Sequence, residues 1–132
     1  AMTHDVLITF GIYVLLGKEV NLTTIAALLT ILGYSINDTI VVYDRIRENM
    51  GRLRDRTLSD LINISTSQML SRTIVTSGTT LLSMVAFFIW GTPVIQDIAF
   101  ALFIGILVGT FSSVYVAAPV TEWMDSRFFR KA

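Results

Sequence analysis

The sequence has few of the residues that most often build catalytic and metal sites. It contains no cysteine, which excludes a disulfide framework, thiolate catalysis and cysteine-ligated zinc. Its single histidine, His4, leaves no histidine cluster to bind a metal. Charged residues make up only 15% of the 132 residues, whereas a soluble domain carries about 25%. Because ten basic residues balance ten acidic ones, no overall charge attracts nucleic acid, and we expect no nucleic-acid partner.

Apolar residues, by contrast, form long runs. They make up 53% of the chain, and the mean hydropathy is +0.67. Residues 22–42 contain one charged side chain, Asp38, and residues 73–90 and 98–121 contain none. A helix needs about 20 apolar residues to cross the hydrocarbon core of a bilayer. The three runs therefore predict three membrane-spanning helices, with the lipid bilayer as their solvent.

A fourth apolar run, residues 6–16, is too short to cross a bilayer unaided. Extended back through Ala1 it reaches about the minimum length, although His4 and Asp5 then lie at its start, and we interpret it as a fourth span. No basic segment precedes it, as one would in a cleavable signal peptide. The chain therefore looks as if it begins inside a membrane segment of a longer protein.

The predicted fold is an all-α membrane protein, a single transmembrane domain over residues 1–132 in which four helices form an antiparallel bundle. Asn21 is a suitable N-cap for the second span, and Pro93 breaks the chain after the third. A loop over 45–71 connects spans two and three, and the helical spacing of its apolar residues from Leu58 onward predicts an amphipathic helix within it. The expected spans are about 1–17, 21–44, 72–90 and 96–121.

The basic residues predict an orientation, because cytoplasmic loops carry an excess of Lys and Arg. With four spans, nine basic residues lie on the side of the 45–71 loop and both termini, and only Lys18 lies on the other side. We therefore expect the loop and the C-terminus in the cytosol. In the tail, Trp123, Phe128 and Phe129 beside basic residues are typical of an interfacial anchor, although a merely solvated basic tail fits equally well.

Asp38 is the acid inside a predicted span, seven residues before Arg45 and hence roughly 10 Å inward from it. An acid at membrane depth costs about 2.5–3.5 kcal/mol on insertion scales and usually faces the bundle interior or a wet cavity. Tyr34, Asn37 and Thr39 supply polar groups around it. Two roles remain open for Asp38: a proton relay, or a structural acid that caps a neighbouring helix.

Arg72 begins the third span, near the same end of the bundle as Asp38, so the two side chains could meet. Such a pair can exchange partners with a proton, since a nearby cation favours the charged carboxylate. Alternatively, Arg72 only anchors its helix at the interface. The hydroxyls of Thr76, Thr79 and Thr80 continue one face of this span and either support the site or bond across helices.

Small residues predict where helices approach closely. Gly105 and Gly109 are four residues apart in the fourth span, and Gly33 lies on the second span next to the polar stripe. Small residues at this spacing let helix backbones pack together in membranes, although the pattern is weak by itself. We expect all three glycines to be packing positions.

Four stretches together resemble the SecF subunits of the bacterial SecDF protein translocase accessory complex, which are similar to the RND transporter superfamily. The longest is GYSINDTIVVYDRIREN at residues 33–49. The others are His-Asp-Val at 4–6, the run 71–80 and the run 105–119. They occur in the expected order over almost the whole chain.

The resemblance implies a six-span protein with a periplasmic domain between spans one and two, of which this chain holds the end of span two and spans three to six. It implies that protons are the coupling ion, that no other cofactor is needed, and that Asp38 and Arg72 carry proton coupling. Asp5, in the family's His-Asp motif, is a further candidate for the relay. The implied partners are SecD, the SecYEG channel, YajC, YidC and an unfolded secretory polypeptide, in the bacterial inner membrane.

Two functions of different classes follow. The first is a subunit that uses the proton-motive force to assist protein export, and the second is a passive membrane scaffold for SecD and the channel. A third, an RND-type exporter of small molecules, would need large extracytoplasmic loops, which this stretch of sequence lacks. We expect no enzyme, because no nucleophile–base pair, phosphate loop or metal cluster is visible.

Overall fold

The computed structural model describes residues 2–124, and the regular structure of that part is all helical, without a strand. The expected all-α class is therefore confirmed. The elements are α1 (Met2–Leu15), α2 (Leu22–Arg52), α3 (Leu58–Trp90), α4 (Pro93–Ser112), a π-helical segment (Ser113–Ala117) and α5 (Ala118–Met124).

Local sequence explains where the helices begin and end. Asn21 caps α2 as predicted: its side chain accepts the N–H of Thr24, and the Thr24 hydroxyl accepts the N–H of Asn21. Gly17 has φ 67°, a conformation in the left-handed region that reverses the chain after α1. Pro93 stands in the first turn of α4, where its missing N–H costs no hydrogen bond.

Three helical segments are long and apolar enough to cross a membrane. They are Leu22–Arg52, Leu58–Trp90 and Pro93–Met124, the last running from α4 through α5. Helix α1 is apolar but has 14 residues, which at 1.5 Å per residue gives about 21 Å, less than the hydrocarbon thickness of about 30 Å. Three of the four expected spans thus have the required length, and the fourth stays a prediction.

The expected loop over 45–71 is mostly helical. Helix α2 continues to Arg52 and α3 begins at Leu58, so only residues 53–57 are non-helical, and the amphipathic helix expected there is the first part of α3. The charges do not break the helix because they are spaced to pair along it. Glu48 contacts Arg45 at 2.5 Å and Arg52 at 3.2 Å, at i,i+3 and i,i+4 spacing.

Polar and apolar contacts join these helical extensions into a hairpin. The buried Asn49 donates from Nδ2 to the hydroxyl of Ser65 at 2.7 Å and to Gln68 Oε1 at 3.1 Å. Beside them Val42, Ile46 and Ile62 form a buried apolar cluster. Two helices of 31 and 33 residues are about 46 and 50 Å long, so this hairpin extends well beyond a hydrocarbon core.

Helix α4 lies at the centre of the bundle and packs against α1, α2 and α3. At one end of the bundle, Lys18 after α1 contacts Asp97 in α4 at 2.6 Å. Near the opposite end, Tyr43 in α2 hydrogen-bonds to Thr121 in α5. These contacts place the turns at alternate ends, which is an antiparallel arrangement of the described helices.

Candidate functional site

A small polar pocket lies between α2 and α3, within the part of each helix that is long and apolar enough to span a membrane. Its volume is about 80 Å³. It brings together six of the site residues predicted from the sequence, with Val41 and Thr73 completing the lining. The six are Tyr34, Asn37 and Asp38 from α2, and Arg72, Thr76 and Thr80 from α3.

Asp38 is the buried acid of this pocket. Its side chain is held on the side of α4, where the hydroxyl of Ser113 donates to Asp38 Oδ2 at 2.7 Å. The same hydroxyl lies 3.0 Å from the carbonyl oxygen of Thr110, one turn earlier. Ser113 is fully buried and opens the π-helical segment, a feature that is frequent at functional sites. The carboxyl thus has a fixed partner at the start of the π-helical segment, and it lines the pocket from α2.

Arg72 reaches the pocket from α3 but stays exposed. Among residues 2–124 no ion pair within 4.0 Å joins it to Asp38, although both line the same pocket. The sequence predicted that the two could meet, and the structure brings them to one cavity without direct contact. A guanidinium this near a buried carboxylate lowers the electrostatic cost of its charge.

A chain of hydroxyls crosses the bundle beside the pocket. The Tyr34 hydroxyl lies 3.0 Å from the Ser77 hydroxyl, and Ser77 lies 2.8 Å from the Thr110 hydroxyl. These contacts link α2, α3 and α4 in one polar layer, and Ser77 is buried. The layer ends at Thr110, next to Ser113, the partner of Asp38. The hydroxyls beside the pocket are therefore connected to the residue that binds the Asp38 carboxyl.

Two of the predicted supporting residues lie outside the pocket. Thr39 has a buried hydroxyl without a hydrogen-bond partner in the described part of the chain. Thr79 is exposed, and its hydroxyl donates to the carbonyls of Val75 and Thr76 in its own helix. Neither residue lines the pocket with Asp38.

Asp5 occupies a separate position, between α1, α2 and α4. It is 0% exposed, and the Ser35 hydroxyl donates to its Oδ2 at 2.5 Å. The Nδ1 atom of His4 lies 3.1 Å from its Oδ1. The structure therefore does not bring Asp5 into the pocket with Asp38 and Arg72.

The predicted packing glycines differ among themselves. A Cβ on Gly105 would lie 2.3 Å from the Cδ1 atom of Ile31, so any larger residue there would force the Ile31 side chain on α2 to move. A Cβ on Gly109 would be 3.8 Å from Asp5 Oδ2, an ordinary contact. Gly33 is exposed, and a Cβ on it would meet no atom within 4 Å, so the packing role expected for Gly33 is not found among the described residues.

Three hydrogen-bonding serines around the two buried acids and the pocket were not predicted from the sequence. Ser113 as the partner of Asp38, Ser77 in the hydroxyl chain, and Ser35 as the partner of Asp5 are all hydroxyls within apolar runs. Their presence in predicted spans was the available signal. Which of them would face an acid depends on helix rotation, which the sequence does not give.

The tail residues expected to form an interfacial anchor are described only in part. Trp123 is exposed near the end of α5. Phe128 and Phe129 lie outside the described residues, as do the basic residues beside them.

In chemical terms, this arrangement can bind and release protons. The buried carboxyl can be negative or neutral. In either state the nearby guanidinium and hydroxyls offer it polar neighbours. No group of three or more His, Cys, Asp or Glu side chains that could hold a metal occurs within residues 2–124.

Comparison with known proteins assigns the chain to a family. The family model described as "Protein export membrane protein SecD/SecF, C-terminal" matches residues 1–127. The chain belongs to this SecD/SecF C-terminal family. The resemblance that the sequence motifs indicated is thereby confirmed.

Individual SecD/SecF relatives are similar over nearly the whole chain. The protein translocase subunit SecF of Koribacter versatilis is 50% identical over 131 residues, which are 96% of this chain and 32% of the relative. SecF of Thermodesulfovibrio yellowstonii is 55% identical over 91% of this chain and 40% of its own length. The chain thus spans about a third of the length of the curated relatives it matches.

A solved structure supports the same assignment. The crystal structure of SecDF from Thermus thermophilus, described as a translocon-associated membrane protein, matches with a TM-score of 0.91 and 52% identity. The match covers 96% of this chain and 18% of that protein. The arrangement of helices around the Asp38 pocket is therefore shared with a SecDF protein.

Proposed function

We propose that this chain is the membrane part of a SecF-type subunit that uses the proton-motive force to assist protein export across the bacterial inner membrane. The observation that carries the proposal is the pocket lined by both Asp38 and Arg72, between two helices long and apolar enough to cross a membrane. A buried acid and a basic residue at this depth are costly and are typically functional.

Asp38 is the group that takes up and releases the proton in this proposal. As a carboxylate it accepts the Ser113 hydrogen bond and attracts Arg72 across the pocket; as a neutral acid it no longer attracts the guanidinium. Each protonation change thus alters the force between α2 and α3. The two helices are also joined by the Tyr34–Ser77 hydrogen bond and by the hairpin contacts of Asn49, so the change in force acts beside these connections.

The membrane arrangement of the proposal follows the family. It places four spans of this chain in a six-helix RND-like membrane domain, with the hairpin around residues 53–57 and the C-terminus in the cytosol. Protons are the coupling ion, without another cofactor and without enzyme chemistry.

The proposed partners are those of a translocase accessory complex. SecD is supported by the Thermus thermophilus relative, whose name, SecDF, joins both subunits. SecYEG is supported by the description of that protein as translocon-associated. YajC, YidC and an unfolded secretory polypeptide complete the expected set.

A passive scaffold is the second candidate, and the Ser113–Asp38 hydrogen bond favours it. A carboxyl that accepts a hydrogen bond from the buried Ser113 hydroxyl also ties α2 to the π-helical segment after α4, with no need for a proton to move. The two functions differ in what they require of Asp38: a scaffold needs its hydrogen bond, whereas a relay needs its titration.

The substitution Asp38→Asn separates these functions, because it keeps shape and hydrogen bonding but cannot bind a proton. In the full-length protein, assembled with its complex in sealed vesicles, we expect it to abolish proton movement coupled to export. Asp44→Asn is the matched control: Asp44 lies on the same helix, is exposed, and does not line the pocket. Coupled proton movement that persists in Asp38→Asn would leave the scaffold as the function.

A further inference from the structure

The buried acid Asp5 is not used by the pocket that contains Asp38. It projects from α1 with 0% of its surface exposed. One oxygen accepts the Ser35 hydroxyl at 2.5 Å, and the other lies 3.1 Å from Nδ1 of His4. A buried carboxyl survives only if it is neutral, or if it is paired and hydrogen-bonded. The contacts with Ser35 and His4 are compatible with both a neutral carboxyl and a paired, hydrogen-bonded carboxylate.

The neighbouring helices offer Asp5 no other ionisable partner. On α4 the residue facing it is Gly109, and α4 carries no charged side chain from Ile98 onward. On α2 the nearest ionisable groups are Tyr34, whose hydroxyl is engaged with Ser77, and Asp38, which is engaged with Ser113. Within residues 2–124, His4 is the titratable side chain in contact with Asp5.

The contact with His4 gives the carboxyl a way to hold one proton. With the proton bound, the pair is either a carboxylic acid beside a neutral imidazole or a carboxylate beside an imidazolium. Both forms have no net charge and are tolerated out of water. When the proton leaves, a carboxylate remains beside a neutral imidazole, stabilised by the Ser35 hydroxyl. The ring is half-buried, with 38% of the His4 side chain exposed, so the imidazole connects the buried carboxyl with the surface of the bundle.

We infer that His4, Asp5 and Ser35 form a second proton-binding site, distinct from the Asp38–Arg72 pocket. The site holds one proton, shared between the carboxyl of Asp5 and the imidazole of His4. Ser35 precedes Asp38 by three residues on α2, so the two sites lie about one helical turn apart on the same helix. A role of this site in transport rests on the proposed proton coupling. The binding of a proton at the site does not depend on that proposal.

Infrared titration of the full-length protein, in its complex in lipid vesicles, tests this site. Spectra are recorded against pH for the wild type, Asp38→Asn, Asp5→Asn and the double variant. We expect Asp38→Asn to retain a pH-dependent carboxyl band that Asp5→Asn and the double variant lose. If no pH-dependent band is lost with Asp5→Asn, Asp5 is permanently in one protonation state and the site does not exist.

Variants that keep the Asp5 carboxyl test the site even if Asp5→Asn misfolds. Ser35→Ala removes the donor to Asp5, and His4→Gln keeps hydrogen bonding but removes the second proton acceptor. Both should move the pH at which the Asp5 band appears. Thr9→Val alters a buried hydroxyl one turn further along the same face of α1 and should leave the band in place.

The outcomes separate this site from the proposed function. A band that is insensitive to both Ser35→Ala and His4→Gln would overturn the second site, even if Asp5→Asn fails to assemble. Conversely, coupled proton movement that survives Asp38→Asn would overturn the proposed relay. That result would not affect the conclusion drawn from the Asp5 infrared band.

Discussion

At the scale of single residues, Arg72 differs from Asp38 in that its side chain has no hydrogen-bond or ion-pair partner within residues 2–124. The structure gives Asp38 a hydrogen bond from Ser113, whereas Arg72 lines the pocket and remains exposed. Its contribution is therefore mainly its charge and its planar donor group. These two contributions can be separated, because lysine retains the charge but not the guanidinium geometry.

We predict that Arg72→Lys retains part of the coupled proton movement and that Arg72→Ala abolishes it. The cation supports the charged state of Asp38 in the first variant and is absent from the second. The measurement is proton flux in sealed vesicles during export by the full-length complex. Arg47→Ala, an exposed arginine on α2 outside the pocket, is the control and should behave as the wild type. Equal flux in Arg72→Ala and the wild type would show that the arginine only anchors its helix.

The acid and the base of the pocket could be predicted from the sequence, but their hydrogen-bond partners could not. Asp38 is conspicuous as the charge in a run of 21 otherwise uncharged residues, 22–42. Ser113 is one of many hydroxyls in apolar runs, and its role depends on the rotation of α4 against α2. The π-helical turn that begins at Ser113 changes that rotation locally and leaves no pattern in the sequence.

At the scale of elements, one glycine lies in the contact between α2 and α4. Ile31 is buried directly against Gly105, where any Cβ would overlap it. The small-residue spacing in the fourth span predicted this contact, and the same reasoning applied to Gly33 gave an exposed position. Small residues show where close packing is allowed, whereas the partner helix decides where it occurs.

We predict that Gly105→Leu lowers the midpoint of thermal unfolding of the purified protein, because a core with added bulk loses about 1–3 kcal/mol. Gly33→Leu should leave the midpoint unchanged, since nothing lies near its Cβ. Ile31→Ala in the Gly105→Leu background should restore part of the loss by making room. A Gly105→Leu protein as stable as the wild type would mean that α2 and α4 do not pack closely here.

The α2–α3 hairpin beyond the pocket is a second element whose stability can be measured. Its extension was not expected from the sequence, where the mixed charges of residues 45–56 indicated a loop. Pairing of Glu48 with Arg45 and Arg52, together with the buried Asn49, explains why the helices continue. Charge spacing at i,i+3 and i,i+4 was the signal that could have shown it.

We predict that Asn49→Ala destabilises this hairpin by about 1–3 kcal/mol, the cost of leaving buried polar groups without partners. The buried partner left behind is the Ser65 hydroxyl, whereas Gln68 is exposed and still accepts a hydrogen bond from Arg45. Asn63→Ala, at an exposed position of α3, is the control. Amide hydrogen exchange over residues 46–66 is the measurement, and equal protection in the two variants would contradict a structural role for Asn49.

At the scale of the whole molecule, the bundle has two ends that differ in charge. One end has Lys18 and Asp97, which pair with each other. The other has the hairpin with Arg47, Arg54 and Arg56, all exposed. Because basic residues near membrane spans remain on the cytoplasmic side, the hairpin end is expected in the cytosol.

This topology can be tested by cysteine labelling, because the 132 residues contain no cysteine and each introduced thiol is unique in this region. We predict that Arg54→Cys in the hairpin reacts only with a reagent added on the cytosolic side of sealed vesicles. Glu19→Cys, in the turn before α2, should react only from the opposite side. Both positions are exposed, so a failure to react would not come from burial. Labelling of Arg54→Cys from the periplasmic side would show that the bundle has the opposite orientation. The hairpin end of α2 and α3 would then lie in the periplasm, contrary to the expectation from its basic residues.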